Sequence, residues 1–417
     1  MTDINTSILI VGGGTFGLST AYRLAKAGYK HITVLEKSAS IPPRDSAGND
    51  LNKIIRAEYE DPFYTDLALQ AMHEWQTHPL FAPHFHQTGY LLANSPAAPE
   101  KAKLTLQKSL ASISSHPSFA GQIQPIQSRA DIRAVAPVFD GPMRWTGYLN
   151  RMAGYAHAAS ALRALYAACA ALDVVTLRLG EGAASLLFDG DGDDTCVGVR
   201  TTSGSELRAD RVVLTLGASV ASLLPQMAGQ ITARAWSVGH VQLAPDEATR
   251  LRGIPVTYAR DLGFFFEPDA ETGLLKVCPA AAGYTNFVSA EGGLSLPPED
   301  SDWIPPEDEE RIRALLRDTL PALAGRDIVD KKLCWCADAA DTEYVIDVVP
   351  GKRNLIVASG DSGHAFKMLP VVGDWVRDVL EKGVQDVVRW RWKEQSGKGE
   401  ASWRVGMTMD LGDLRRE

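Results

Sequence analysis

The chain has few of the features that would commit it to an oxidising compartment, a membrane or a polyanion. Among its 417 residues are five cysteines, Cys169, Cys196, Cys278, Cys334 and Cys336, too few and too scattered to staple a chain of this size. A disulfide-built secreted fold is therefore excluded. Cys334 and Cys336 form only a CxC, and no second Cys or His pair stands at ligand spacing, so no metal site is expected. No segment approaches the roughly 18 consecutive apolar residues of a membrane span. The formal net charge of −9 leaves nothing to neutralise phosphates in bulk and argues against nucleic acid as a partner; the short basic stretch at 389–393, RWRWK, reads as a local feature. The first strand pattern starts within about seven residues of the N-terminus, without the basic, apolar and small-residue order of a secretory signal. The C-terminal DLRRE is not an SKL-type address. A cytoplasmic protein is expected, a monomer or weak oligomer. At this length two intertwined domains are expected rather than one core.

What is present is concentrated in residues 8–37, ILIVGGGTFGLSTAYRLAKAGYKHITVLEK. A short apolar strand, a glycine-rich turn, an amphipathic helix and a second strand ending in an acid make the βαβ unit that holds a dinucleotide. Gly12 permits the tight turn, Gly14 lets the backbone approach a pyrophosphate, and Gly17 lets helix and strand pack closely. The helix N-terminus offers free N–H groups to the phosphates. Glu36 falls about 20 residues beyond the glycines, where a carboxylate accepts hydrogen bonds from a ribose diol and repels a 2′-phosphate.

Beyond this unit, a Ser/Gly/Asn/Asp-rich loop at 46–52 leads into a run at 53–75 that reads as helical. Residues 88–93 read as a strand, and 101–114 and 156–171 as helices. Short strands follow through 174–207, then a buried strand, glycine turn and helix at 211–225. From 231 to 284 the pattern is mostly strand and indicates a second, antiparallel sheet. A helix at 310–323 precedes another strand, glycine turn and helix at 354–376. The fold expected is α/β: a Rossmann-type dinucleotide domain formed by 1–85, 150–225 and 325–417, into which an antiparallel-sheet substrate domain, 86–149 and 226–324, is inserted.

Four further motifs occur in order along the chain: SAGNDLNKI at 46–54, LKVC at 275–278, CWCADAADTEYVID at 334–347 and SGHAFKMLP at 362–370. With the N-terminal fingerprint they resemble the sarcosine oxidase and fructosyl amino acid oxidase (amadoriase) family, the amadoriase branch more closely. The resemblance implies a flavoprotein whose FAD is attached through a cysteine sulfur and which oxidises the C–N bond of an amino-acid-derived secondary amine. O2 is the acceptor; the products are a carbonyl compound, free amine and hydrogen peroxide.

Carried over residue by residue, the resemblance makes Cys334 the flavin-linked cysteine, with Cys336 the weaker match. It makes Lys276 the cation that stabilises charge developing on oxygen, and Lys53 a second catalytic lysine. Lys367 meets the substrate carboxylate, with Arg404 in the C-terminal tail as its partner. The cofactor-binding set is Gly12, Gly14, Thr15, Gly17, Glu36, Lys37, Ser46, Gly363, His364, Phe366 and Lys367, together with Cys334. The assignments make chemical sense: a thiolate is the competent nucleophile toward the flavin methyl position, a fixed cation suits developing negative charge, and a carboxylate in a closed pocket needs charged donors.

One position departs from the amadoriase pattern. Two residues after the cysteine of LKxC, where a carboxylate binds sugar hydroxyls, this chain has Ala280. A methyl group accepts no hydrogen bond, and each buried hydroxyl left unpaired costs about 1–3 kcal/mol. The expected substrates are therefore N-alkyl amino acids, N-methyl compounds in particular. Deglycation of fructosyl amino acids stays open, because neighbouring residues could supply acceptors. An NAD-dependent dehydrogenase shares the N-terminal fingerprint but leaves Cys334 and SGHAFK unexplained. An inactive flavin-binding scaffold is the non-enzymatic alternative.

Overall fold

In the computed structural model, which describes residues 3–190, 194–288, 293–394 and 407–414, the chain builds two main sheets. The first has six strands in the order Val345–Val348, Leu355–Ser359, Arg211–Leu214, Ser7–Val11, His31–Glu36 and Val175–Leu179; all pairings are parallel except that of the first two. Ser7–Val11 lies near the middle with helices or a small sheet against each face. It accordingly reads as an apolar run rather than an alternating one. The helices Thr15–Lys26, Ala158–Ala170 and Val372–Lys382 pack together on one face.

The glycines expected to shape the turn do so by sterics. Gly12 has φ +111°, and a Cβ there would stand 2.5 Å from the Thr215 carbonyl oxygen. A Cβ on Gly17 would stand 1.8 Å from the Gly12 oxygen, so no other residue fits.

The second sheet has ten strands. Its path runs Met409–Asp410, Tyr284–Thr285, Ile231–Gln242, Leu274–Pro279, Gly263–Phe265, Val256–Ala259, Tyr90–Asn94, Thr146–Asn150 and Ile123–Ile126, and Val329–Ala339 also pairs with Ile231–Gln242. It is antiparallel except for two pairings: Val256–Ala259 lies parallel to Tyr90–Asn94, and Tyr284–Thr285 parallel to Met409–Asp410. Side-chain alternation sorts this sheet into two faces. Leu91, Ala93, Phe265, Leu275 and Val277 pack with Ile312, Leu315 and Leu316 of the helix Pro306–Thr319. Tyr90, Tyr258, Phe264, Phe266, Lys276 and Cys278 point the other way, toward the first sheet.

Most expected elements appear within a few residues of their expected ends. Residues 53–75 differ: a strand, Asn52–Ile55, pairs with Gly154–His157 before the helix Pro62–Thr77 begins. The β-branched pair Ile54 and Ile55 favours the strand. Asp61, whose side chain accepts from the Phe63 N–H, and Pro62 then start the helix. Among the described residues no helix is long and apolar enough to cross a membrane.

Candidate active site

Two cavities adjoin between the sheets. The first, about 520 Å³, is lined by Gly12, Gly14, Thr15, Glu36, Lys37 and Ser46 from the N-terminal unit and by Gly363 and Phe366 from the later glycine turn. Glu36 is buried; its Oε2 accepts from the Gly13 N–H at 2.7 Å and its Oε1 from the Ser38 N–H at 2.8 Å. These bonds hold the carboxylate at the cavity wall. Lys37 reaches Asp45 at 2.7 Å. A glycine turn, an oriented acid and a helix starting at the cavity are the parts a dinucleotide requires, and this donor set fits FAD.

The second cavity, about 480 Å³, shares Lys53, Cys336, Gly363 and Phe366 with the first. At the junction lies Asp50, whose carboxylate is fully buried. Lys276 Nζ stands 2.6 Å and Lys53 Nζ 2.8 Å from its Oδ2, and Lys332 Nζ 3.8 Å from its Oδ1. Burial alone would raise the Asp50 carboxyl, but the three lysines overcome it and hold Asp50 well below its ordinary value. Burial likewise opposes the Lys53 ammonium, and Asp50 with the two nearby cysteines reverses this and holds Lys53 well above its own. Lys276, 2% exposed, also donates to the Asn52 carbonyl at 2.8 Å and stands 5.2 Å from the centre of the Phe266 ring.

Cys334 and Cys336 point the same way from the strand Val329–Ala339, as residues two apart must. Lys53 Nζ lies 3.5 Å from Cys334 Sγ. The Cys336 S–H, opposed by burial and helped by Lys53, pulls the Cys334 thiol well below its ordinary value, and the Cys336 thiol is pushed up in turn. Asp361, beside Cys336, is pushed up to about 6 by burial although the Ala337 and Gly363 N–H groups donate to it.

Away from the junction, Lys367 lies 6% exposed in the second cavity. Its Nζ contacts the Tyr59 hydroxyl at 3.0 Å and the His364 carbonyl at 2.9 Å. Among the described residues no carboxylate pairs with it. Burial, and the Arg56 guanidinium behind it, push the ammonium well below its ordinary value, so it gains from an incoming carboxylate. His364 is pushed down to about 3 by burial and Lys367. The neutral ring donates from Nε2 to the Thr342 carbonyl at 2.9 Å, and its Nδ1 receives the Tyr59 and Tyr344 hydroxyls, each at 3.1 Å.

Of the residues singled out in the sequence, Lys53, Lys276, Cys334, Lys367 and Ala280 thus come together around the second cavity, and Gly12, Gly14, Thr15, Glu36, Lys37 and Ser46 around the first, whereas Gly17 lines neither and packs against Gly12 and Thr215. His364 and Lys367, expected at the cofactor, line the second cavity and not the first, whereas Gly363 and Phe366 face both. Arg404 lies outside the described residues. Sequence reasoning missed Asp50, Lys332, Arg56, Glu58 and Arg260. Asp50 carried a signal: an acid three residues before a lysine within an otherwise small and polar loop.

Comparison with known proteins agrees with this geometry. A family model described as FAD dependent oxidoreductase matches residues 7–379. The L-saccharopine oxidase of Schizosaccharomyces pombe is 31% identical over 96% of both chains. A monomeric sarcosine oxidase from Bacillus is 23% identical over 88% of this chain and 90% of its own. Among solved structures, fructosyl peptide oxidase from E. terrenum superposes with a TM-score of 0.90 at 32% identity, covering 99% of this chain and 98% of that one. The deglycating fructosamine oxidase Amadoriase II from Aspergillus fumigatus gives 0.87 at 33%, covering 99% and 97%.

Proposed function

This chain belongs to the FAD-dependent oxidoreductase family, and on that premise we propose that it oxidises the C–N bond of N-alkylated amino acids, N-methyl compounds being the simplest. The class is that of FAD-dependent oxidases of amino-acid-derived amines, and this sets the nicotinamide alternative aside. The overall change removes two hydrogens from the amine and reduces O2 to hydrogen peroxide. Water then divides the resulting imine into an aldehyde and a primary amine.

One observation carries the reading: a cavity built for a dinucleotide adjoins a second, with Lys53 at the shared wall, Lys276 joined to it through Asp50, and Lys367, without a carboxylate partner among the described residues, lining the second. When bound, FAD supplies the two-electron acceptor and passes the electrons to O2. Lys367 holds the α-carboxylate, which orients the bond between the amine nitrogen and its N-substituent toward the junction. Lys276, kept in place by Asp50, sets a positive charge where oxygen becomes negative. Cys334, next to Lys53, is the sulfur that attaches the cofactor. No side-chain base is needed if the amine binds neutral. The discontinuous dinucleotide domain and the inserted substrate domain belong to the same proposal.

Ala280 and Ala281 line the second cavity and favour an alkyl substituent over a polyol. The test is a peroxide-coupled assay of an N-methyl amino acid beside the fructosyl derivative of the same amino acid. Preference for the N-methyl compound is expected. Preference for the fructosyl compound would make this a deglycating enzyme, and activity on neither would refute the amine-oxidase assignment.

A further inference from the structure

Besides Lys367, the second cavity is lined by another cation that no carboxylate pairs with among the described residues. Arg260 follows the strand Val256–Ala259, is 7% exposed and lines the cavity. Among the described residues its Nε has no hydrogen-bond partner and no carboxylate pairs with its guanidinium. The neighbouring acid, Asp261, is committed to Ser95, accepting from its N–H at 3.0 Å and its hydroxyl at 2.5 Å. Arg56, also lining the cavity, stacks over the rings of Tyr59 at 5.1 Å and Tyr90 at 5.9 Å. Glu58, two residues on from Arg56, is buried; its Oε1 accepts from Asn150 Nδ2 at 2.7 Å and its Oε2 has no partner among the described residues. A buried guanidinium lacking an acceptor is costly unless a ligand supplies one.

Sheet register places this charge. Tyr258 pairs with Phe264, and Phe264 with Cys278, so the strand leading to Arg260 lies two strands from the one bearing Lys276, roughly 10 Å across the sheet. Tyr258, Phe264 and Phe266 form a continuous aromatic floor between them, with ring centres 5.2 and 5.8 Å apart. A substituent on the amine nitrogen would therefore run over an apolar floor and end at a cation.

We propose that Arg260 anchors a second carboxylate, carried by the N-substituent, and that the preferred substrates are N-carboxyalkyl amino acids. Lys367 takes the α-carboxylate, the amine lies at the Lys53–Lys276 junction, and Arg260 takes the far end. This rests on the amine-oxidase reading above and narrows its substrate class.

The test compares N-(2-carboxyethyl)- and N-(3-carboxypropyl)-L-alanine with N-propyl- and N-butyl-L-alanine, in the wild type and in Arg260→Gln. In the wild type, kcat/KM for at least one carboxylated compound should exceed that of its matched alkyl compound by about tenfold or more. Arg260→Gln should abolish this advantage, bringing kcat/KM for the carboxylated compounds down to that of their matched alkyl compounds in the same variant, and Arg260→Lys should restore part of it. If the wild type oxidises the alkyl compounds as well as or better than the carboxylated ones, the second site is refuted and the amine-oxidase reading stands. If neither series is oxidised, both fall. The wild-type comparison does not depend on the folding of a variant.

Discussion

Lys53 Nζ lies 3.5 Å from Cys334 Sγ while its other side is held by Asp50 at 2.8 Å. One ammonium thus favours two anions, a structural carboxylate and the thiolate of the sulfur proposed to attach the cofactor. Replacing it should act on both.

In Lys53→Met, Cys334 loses the cation that favours its thiolate, and the yellow colour should shift from the protein pellet to the supernatant after acid precipitation. Cys334→Ser should release all of the flavin and Cys336→Ser little. Retention of flavin by Cys334→Ser would place the linkage elsewhere.

Lys276→Met should leave anaerobic reduction by substrate nearly intact but slow the reaction of the reduced enzyme with O2 by about tenfold or more. Stopped-flow absorbance separates the two, and an unchanged O2 reaction would remove Lys276 from that role.

Asp50→Ala leaves three lysines without their shared partner and should destabilise the protein by about 3–5 kcal/mol, read from denaturant unfolding. The pH dependence has a definite sign. Asp50 is depressed from 3.8, so its contribution is present above that value and is lost as pH falls through the lower folded value. Lys53 is raised from 10.5, so its contribution is full below that value and is lost as pH rises through the higher folded value. Between these limits the loss in Asp50→Ala should be nearly independent of pH.

The activity profile should have two limbs. kcat/KM should rise with pH as the substrate amine loses its proton, and a flat profile between about pH 6 and 9 would contradict binding of the neutral amine. Lys367, held well below its ordinary value in the free enzyme, should impose a falling limb as it loses the charge proposed to hold the carboxylate. Lys367→Arg should move the falling limb out of range, because a guanidinium keeps its proton.

Ala280→Glu should raise the ratio of fructosyl to N-methyl activity, measured as kcat/KM on the two substrates in parallel. An unchanged ratio would mean that position 280 does not face the N-substituent.

The dinucleotide turn was legible because its glycines answer to local sterics: the 1.8 Å approach at Gly17 admits one residue type wherever the segment is met. The strand at Asn52–Ile55 was not, because its partner, Gly154–His157, lies about a hundred residues away and only tertiary pairing overrides the helical look of the following run. Lys53 and Lys276 were visible as charges in motifs, but their meeting at Asp50 depends on the sheet register that brings residue 276 against the loop. Arg260 offered no local signal, since an arginine in a turn after a strand looks like any surface residue until burial is known.

The Asp50 node joins three segments at once: the loop that edges the dinucleotide cavity, the strand bearing Lys276 and, through Lys332, the strand bearing Cys334. On the roles proposed above, changes there should alter cofactor attachment, oxygen chemistry and stability together, so the centre should tolerate little drift. Ala280 and Arg260 touch none of its ion pairs. Substrate preference can therefore diverge at the periphery of this pocket while its redox centre is held unchanged, and one scaffold can serve many secondary amines with a single electrostatic fastening.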